Sequence, residues 1–175
     1  MKKKTLALVL ALTLLVAGVV GGTLAWLTDQ TDEVKNTFTV GDINIGLAET
    51  TTNYKMVPGN TIAKDPTVTV KAGSEACWLF VQVTESANLD DFITYAIATG
   101  WTELEAGVYY REVPASAADQ TFSVLAGNAV TVKDTVTKAM LTADNFTNPT
   151  LTFKAYAIQK DNVASASDAW AKVNP

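Results

Sequence analysis

Between residues 36 and 159 apolar side chains recur at every second position in short runs, and each run is closed by glycine, proline, asparagine or aspartate. Side chains of a strand alternate between its two faces, so this spacing predicts β-strands. Asn36 to Leu47 reads as the first. Phe38 and Val40 share one face, whereas Ile43, Ile45 and Leu47 share the face of opposite parity. One core cannot take both sets without a slip, and Gly41-Asp42 is where a bulge or kink would restore the register. Met56 to Asn60 predicts a turn, with Pro58 and Gly59 ordered as type II geometry favours. Pro66 to Lys71 alternates with Val68 and Val70 inward. Ala76 to Thr84 is apolar on both faces: Cys77, Leu79, Val81 and Val83 on one, Trp78 and Phe80 on the other. Such a strand is expected in the middle of a sheet that is covered on both sides.

Asn88 to Phe92 starts with an N-cap residue and two acids, which predicts a short helical turn, and Ile93 to Ile97 then alternates like a strand. Gly100 to Leu104 and Gly107 to Val113 form an expected hairpin. Gln120 to Leu125 places Phe122 and Val124 inward, Ala129 to Val136 places Val130, Val132 and Val136 on one face, and Thr150 to Gln159 is a final strand. Strands recurring with turn signals about every 8–12 residues mark an antiparallel sandwich or barrel. The tail is helical. Ser165 and Asp168 have capping-box spacing, and Ala166, Ala169, Trp170 and Val173 share a face, with Trp170 expected to plug an edge or end of the sandwich.

The start of the chain has a different pattern. Lys2, Lys3 and Lys4 precede a nearly unbroken apolar run from Thr5 to Val20, followed by Gly21-Gly22 and by small residues at Thr23 and Ala25. This is the layout of a secretory signal peptide, with cleavage expected between Ala25 and Trp26. An uncleaved anchor is the competing reading, because about 20 apolar residues span a bilayer. The small residues favour cleavage. Under both readings the rest of the chain lies outside the cytoplasm, because the lysines stay inside. The predicted organisation is a signal segment (1–25), a polar arm (26–36) and one β-domain (37–175).

Charge and composition narrow the chemistry. The leader holds three of the 13 basic residues and none of the 18 acidic ones, so residues 26–175 set ten positive charges against 18 negative, a balance of −8. That disfavours nucleic acid, or an anionic membrane, as a partner. The chain has no histidine, which excludes Ser-His-Asp and Cys-His catalysis and the histidine zinc sites of most metalloproteases. Its one cysteine, Cys77, cannot form an internal disulfide and is expected as a small buried hydrophobe. Asp29, Asp32 and Glu33 lack the glycine and the ligand spacing of a calcium loop. No phosphate-binding glycine loop or GxSxG elbow is present. Trp78 and Trp101 could line a sugar site, although core packing is the commoner use. No catalytic, cofactor-binding or metal-binding residue is assigned, and no cofactor is expected. An exported β-domain with a loose N-terminal arm and no catalytic set suits self-assembly by strand addition, since a sheet edge carries unpaired backbone groups that an arm from another copy can complete. Donor and acceptor surfaces differ, so such a contact would grow a filament.

Three stretches carry a resemblance. GGTLAWLTD followed by NTFTVGDINIGL is similar to the processed signal end and first strand of the TasA and camelysin proteins of Gram-positive bacteria; Leu27 stands where that family often has an aromatic residue. Val57-Pro58-Gly59 resembles the family's PGD turn, with Asn60 replacing the acid. Lys154 to Gln159 followed by Ser167-Asp168-Ala169-Trp170 looks like the AYAIQ…AW ending of shorter members. The resemblance implies a jelly-roll-like sandwich, cut by a signal peptidase of the SipW type. It also implies fibres of the extracellular biofilm matrix, built from copies of the chain and other matrix components by donor-strand exchange. The matching arm runs from Trp26 through Leu27 and Val34 to about Lys35, and the family's first strand begins at Phe38 and takes in Val40, Ile43 and Ile45. The membrane is then met only through the uncleaved signal. Camelysin itself is described as a metalloprotease, but no motif here supplies its ligands, and no LPxTG wall-anchoring signal is present. The alternatives to a matrix subunit are a camelysin-like protease and a monomeric adhesin or carbohydrate-binding domain.

Overall fold

The computed structural model describes residues 41–173, together with the isolated positions Lys3 and Ala7. Within this range the strands are β1 (Ile45–Ala48), β2 (Thr61–Ala63), β3 (Thr67–Val70), β4 (Cys77–Glu85), β5 (Ile93–Thr94), β6 (Thr102–Glu105), β7 (Val108–Val113), β8 (Gln120–Ser123), β9 (Ala129–Val132) and β10 (Leu151–Gln159). Three short helices accompany them: α1 (Leu89–Phe92), α2 (Lys138–Leu141) and α3 (Ala166–Val173). Every strand pairing is antiparallel.

β4 lies inside a four-stranded sheet of order β10-β4-β7-β6. This is the place its two apolar faces require. Cys77, Leu79, Val81 and Val83 join Val68, Val70, Val113 and Val124 in a core closed by the sheet β1-β3-β8. Trp78 and Phe80 look the other way and are covered by α3 through Ala166, Ala169 and Trp170. A third sheet, β2-β9-β5, continues the β3–β8 pair: the Lys64 N–H donates to the Asn128 carbonyl (2.8 Å) and the Val124 N–H to the Pro66 carbonyl (2.9 Å). It carries its own apolar cluster of Leu89, Phe92, Ile93, Leu125, Val130, Val132 and Val136.

Turn chemistry sets the registers. The Asn60 N–H donates to the Val57 carbonyl (3.1 Å) across Pro58-Gly59, with Gly59 at φ +76°, as a type II turn demands. In the β6–β7 hairpin Gly107 has φ +75°, and a Cβ there would stand 2.7 Å from the Val83 carbonyl oxygen, so only glycine fits. Its carbonyl accepts from the Val83 N–H at 2.7 Å, which ties the hairpin to β4.

Several expectations are corrected. The regular first strand is only Ile45–Ala48, and residues 41–44 are irregular. Asp42 contributes to this: its carboxylate accepts from the Ile43 N–H (2.8 Å), which takes that amide out of a ladder, and from Asn44 Nδ2 (2.8 Å). Ile43 and Ile45 pack against the inner core as expected, but Leu47 is 38 % exposed. Phe38 and Val40 lie outside the described residues. Asn88 makes no side-chain cap on α1; it accepts from the Ser86 hydroxyl (2.7 Å) and donates to the Thr147 carbonyl (2.9 Å) instead. Trp170 covers the outer face of the central sheet rather than its edge, 5.3 Å from Phe80 and 5.2 Å from Tyr156 between ring centroids. The Ser165 cap forms as expected: its Oγ accepts from the Asp168 N–H (3.1 Å), and the hydroxyl donates to the Asp168 carboxylate (2.7 Å).

Candidate functional site

The residues expected to mark signal cleavage (Ala25, Trp26) and the assembly arm (Trp26, Leu27, Val34) lie outside the described residues. What the structure places is the sheet edge that an arm would need. β10 is the outer strand beside β4 and runs nine residues without a bulge. The Ser86 N–H donates to the Thr150 carbonyl (2.9 Å), and the Lys160 N–H to the Ala76 carbonyl (2.8 Å). Backbone groups alternate along a strand, so residues 152, 154, 156 and 158 also bond to β4. The N–H and C=O groups of Leu151, Phe153, Ala155, Ala157 and Gln159 therefore point away from it. Among the described residues no strand pairs with that side.

The opposite edge is built differently. β6 has four residues, a register shift between Glu103 and Glu105, and two exposed carboxylates. Short length, irregularity and charge are devices that stop a sheet from adding strands. β10 has none of them apart from Lys154, whose ammonium lies over the Tyr156 ring at 4.8 Å.

Next to the β10 edge the chain forms a depression of about 360 Å³ between β1 and β10, floored by Pro66 and Phe153 and walled by Leu47 and Lys64. Lys64 is 8 % exposed. Its ammonium is 2.7 Å from the Glu49 carboxylate and lies over the rings of Tyr54 (5.0 Å) and Phe153 (5.3 Å). The Tyr54 hydroxyl donates to the same carboxylate at 2.7 Å. Burial, then the hydrogen bond to Glu49, push its pKa well above the usual tyrosine range. This triad pins the loop after β1 beside the edge. Removing the Glu49 carboxylate would leave the Lys64 ammonium buried without its counter-charge, which costs about 3–5 kcal/mol. No local pattern announces it, since Glu49, Tyr54 and Lys64 look like ordinary loop residues until the fold brings them together.

The remaining candidates resolve into packing. Cys77 is fully buried, and burial pushes its thiol up to about 11, the opposite of a nucleophile's shift. Trp78 is buried, with its indole N–H on the Val163 carbonyl (3.2 Å). Trp101 is half-buried and donates to the Ser123 carbonyl at 2.9 Å.

Fold and edge together define a mostly β domain of antiparallel sheets with few short helices and, among the described residues, one long strand unpaired on its outer side. Residues 1–77 match the family described as camelysin metallo-endopeptidase. The match bears out the likeness to the TasA and camelysin family over the leader and the chain as far as the first residue of β4. None of the curated proteins and none of the solved structures gives a match.

That description implies a metal, and the donor set does not fit one. Among the described residues no group of three or more His, Cys, Asp or Glu side chains could hold an ion. The chain has no histidine, and its one thiol is sealed in the core. No helix of the described residues is long and apolar enough to cross a membrane.

Proposed function

We propose that this protein is a secreted structural subunit of an extracellular matrix, located outside the cell or at its surface. Copies join by strand addition: the arm Trp26 to Lys35 of one copy completes the β10 edge of the next. A jelly-roll-like connectivity of the sandwich belongs to the same reading. The observation that carries it is the contrast between the two edges of the central sheet, β6 blunted and β10 open along nine residues. The apolar signal segment, the partial family match and the missing catalytic set support it.

Deleting Trp26 to Lys35 tests the reading. Electron microscopy of the shortened protein is expected to show no fibres, while its circular dichroism stays that of a folded β-domain. Normal polymerisation without the arm would refute strand donation. The family's description favours one other reading, a metallo-endopeptidase. Chelator-sensitive cleavage of casein by a purified sample would establish it in place of the structural role.

A further inference from the structure

Arg111 is a cation of the inner face that has no acidic partner among the described residues. It lies on β7 opposite Leu79, between the half-buried Tyr109 and the buried Val113 on the same face, and reaches toward β8. Its guanidinium carbon is 3.8 Å from the Phe122 ring centroid and 5.3 Å from that of Trp101. None of the four ion pairs among the described residues includes it. Its Nε is buried without a hydrogen-bond partner. Gly100, at φ +89°, packs beside it: a Cβ there would stand 3.3 Å from Nη2, so a side chain at this position would crowd the guanidinium. Burial lowers its pKa.

We propose that Arg111, clamped between Phe122 and Trp101, is a recognition site for a single carboxylate, carried by a uronic-acid sugar or by an acidic amino-acid side chain. A planar guanidinium fixed by aromatic rings matches a planar carboxylate through its two terminal nitrogens. One cation in an acidic protein suits one carboxylate; a phosphate dianion or a polyanion would call for more positive charge. The position also has a cost for the fold. A partly buried cation with an unpartnered Nε weakens the domain relative to an apolar side chain of similar length. The aromatic clamp therefore holds the guanidinium ready without satisfying it.

The test titrates the purified protein with sodium glucuronate, with N-acetylglutamate amide and with glucose, following the Trp101 indole N–H by NMR. At least one carboxylate is expected to shift that signal saturably, and glucose is not; which carboxylate saturates identifies the source. Arg111→Met is expected to weaken that binding about tenfold or more, and Arg111→Lys to weaken it although the charge remains. Arg111→Met is also expected to melt no lower than the parent. If neither carboxylate shifts the signal, or if Arg111→Met binds equally well, the site does not exist. If Arg111→Met melts clearly lower, the side chain is a packing element and the proposal falls.

Discussion

The two faces of the central sheet solve the same problem with different materials. On the inner face β4 presents Cys77, Leu79, Val81 and Val83 to a second sheet, and the contact is made largely of valines. On the outer face it presents Trp78 and Phe80 to one eight-residue helix, and the contact is made largely of rings: Trp78 with Tyr110 (5.9 Å), Phe80 with Trp170 (5.3 Å), Tyr156 with Trp170 (5.2 Å). Two pleated sheets interdigitate with short branched side chains at close spacing. A single helix cannot cover four strands, so large rings fill the area it leaves. Once both faces are closed, the longest row of backbone amides and carbonyls in this sheet without a strand partner among the described residues is that of its β10 edge. That is why the edge, rather than a pocket, is the functional candidate.

Truncations on the two faces should therefore differ. Phe80→Ala, at a fully buried ring held between Tyr110 and Trp170, is expected to cost about 3–5 kcal/mol in urea unfolding. Leu79→Ala, equally buried between two sheets, is expected to cost about 2–5 kcal/mol. The comparison breaks if Phe80→Ala proves the milder change, since the helix would then be a loose cover. Ser165→Ala removes the cap of α3 and is expected to cost about 1 kcal/mol, with the near-ultraviolet signal of Trp170 weakening before the sheet melts.

The smallest effect concerns acid. The outer face uses one carboxylate, Glu105, which accepts from the Trp170 indole N–H at 2.8 Å, and two loops use others. Hydrogen bonds from Thr50 hold Asp65 below the ordinary carboxylate range, and hydrogen bonds from the Ala72 N–H and Lys71 do the same for Asp119. A carboxyl whose pKa is lower folded than unfolded contributes stability above its unfolded pKa of about 3.9, and that contribution is lost as pH falls through the folded value. Both groups are exposed, so the loss is expected to be slight. Melting curves between pH 5 and 2 should show it, and it should shrink in Asp119→Asn while Phe80→Ala leaves it unchanged.

Period-two spacing made β3, β4, β7, β8, β9 and β10 legible, because each has a buried face that permits only one register. The double-sided composition of β4 also gave its central position. Two features were hidden. β2 has only three residues, too few for a period. The irregular start of β1 has a contribution from the Asp42 side chain competing for a backbone amide, which alternation does not record. The Lys64–Glu49–Tyr54 triad and the Arg111 clamp were hidden for another reason: each joins residues from separate parts of the chain whose types are unremarkable one by one.

The amino-acid order by itself determined the apolar run at the start of the chain, most of the strands, the capped terminal helix and the exclusion of histidine chemistry. All of these depend on side-chain type and on neighbours a few positions away. Only the tertiary structure decided which strand stands at an open edge, that Trp170 covers a face, and that Arg111 has no counter-charge among the described residues. Those outcomes depend on pairings between distant segments, and local spacing carries no information about which segments meet.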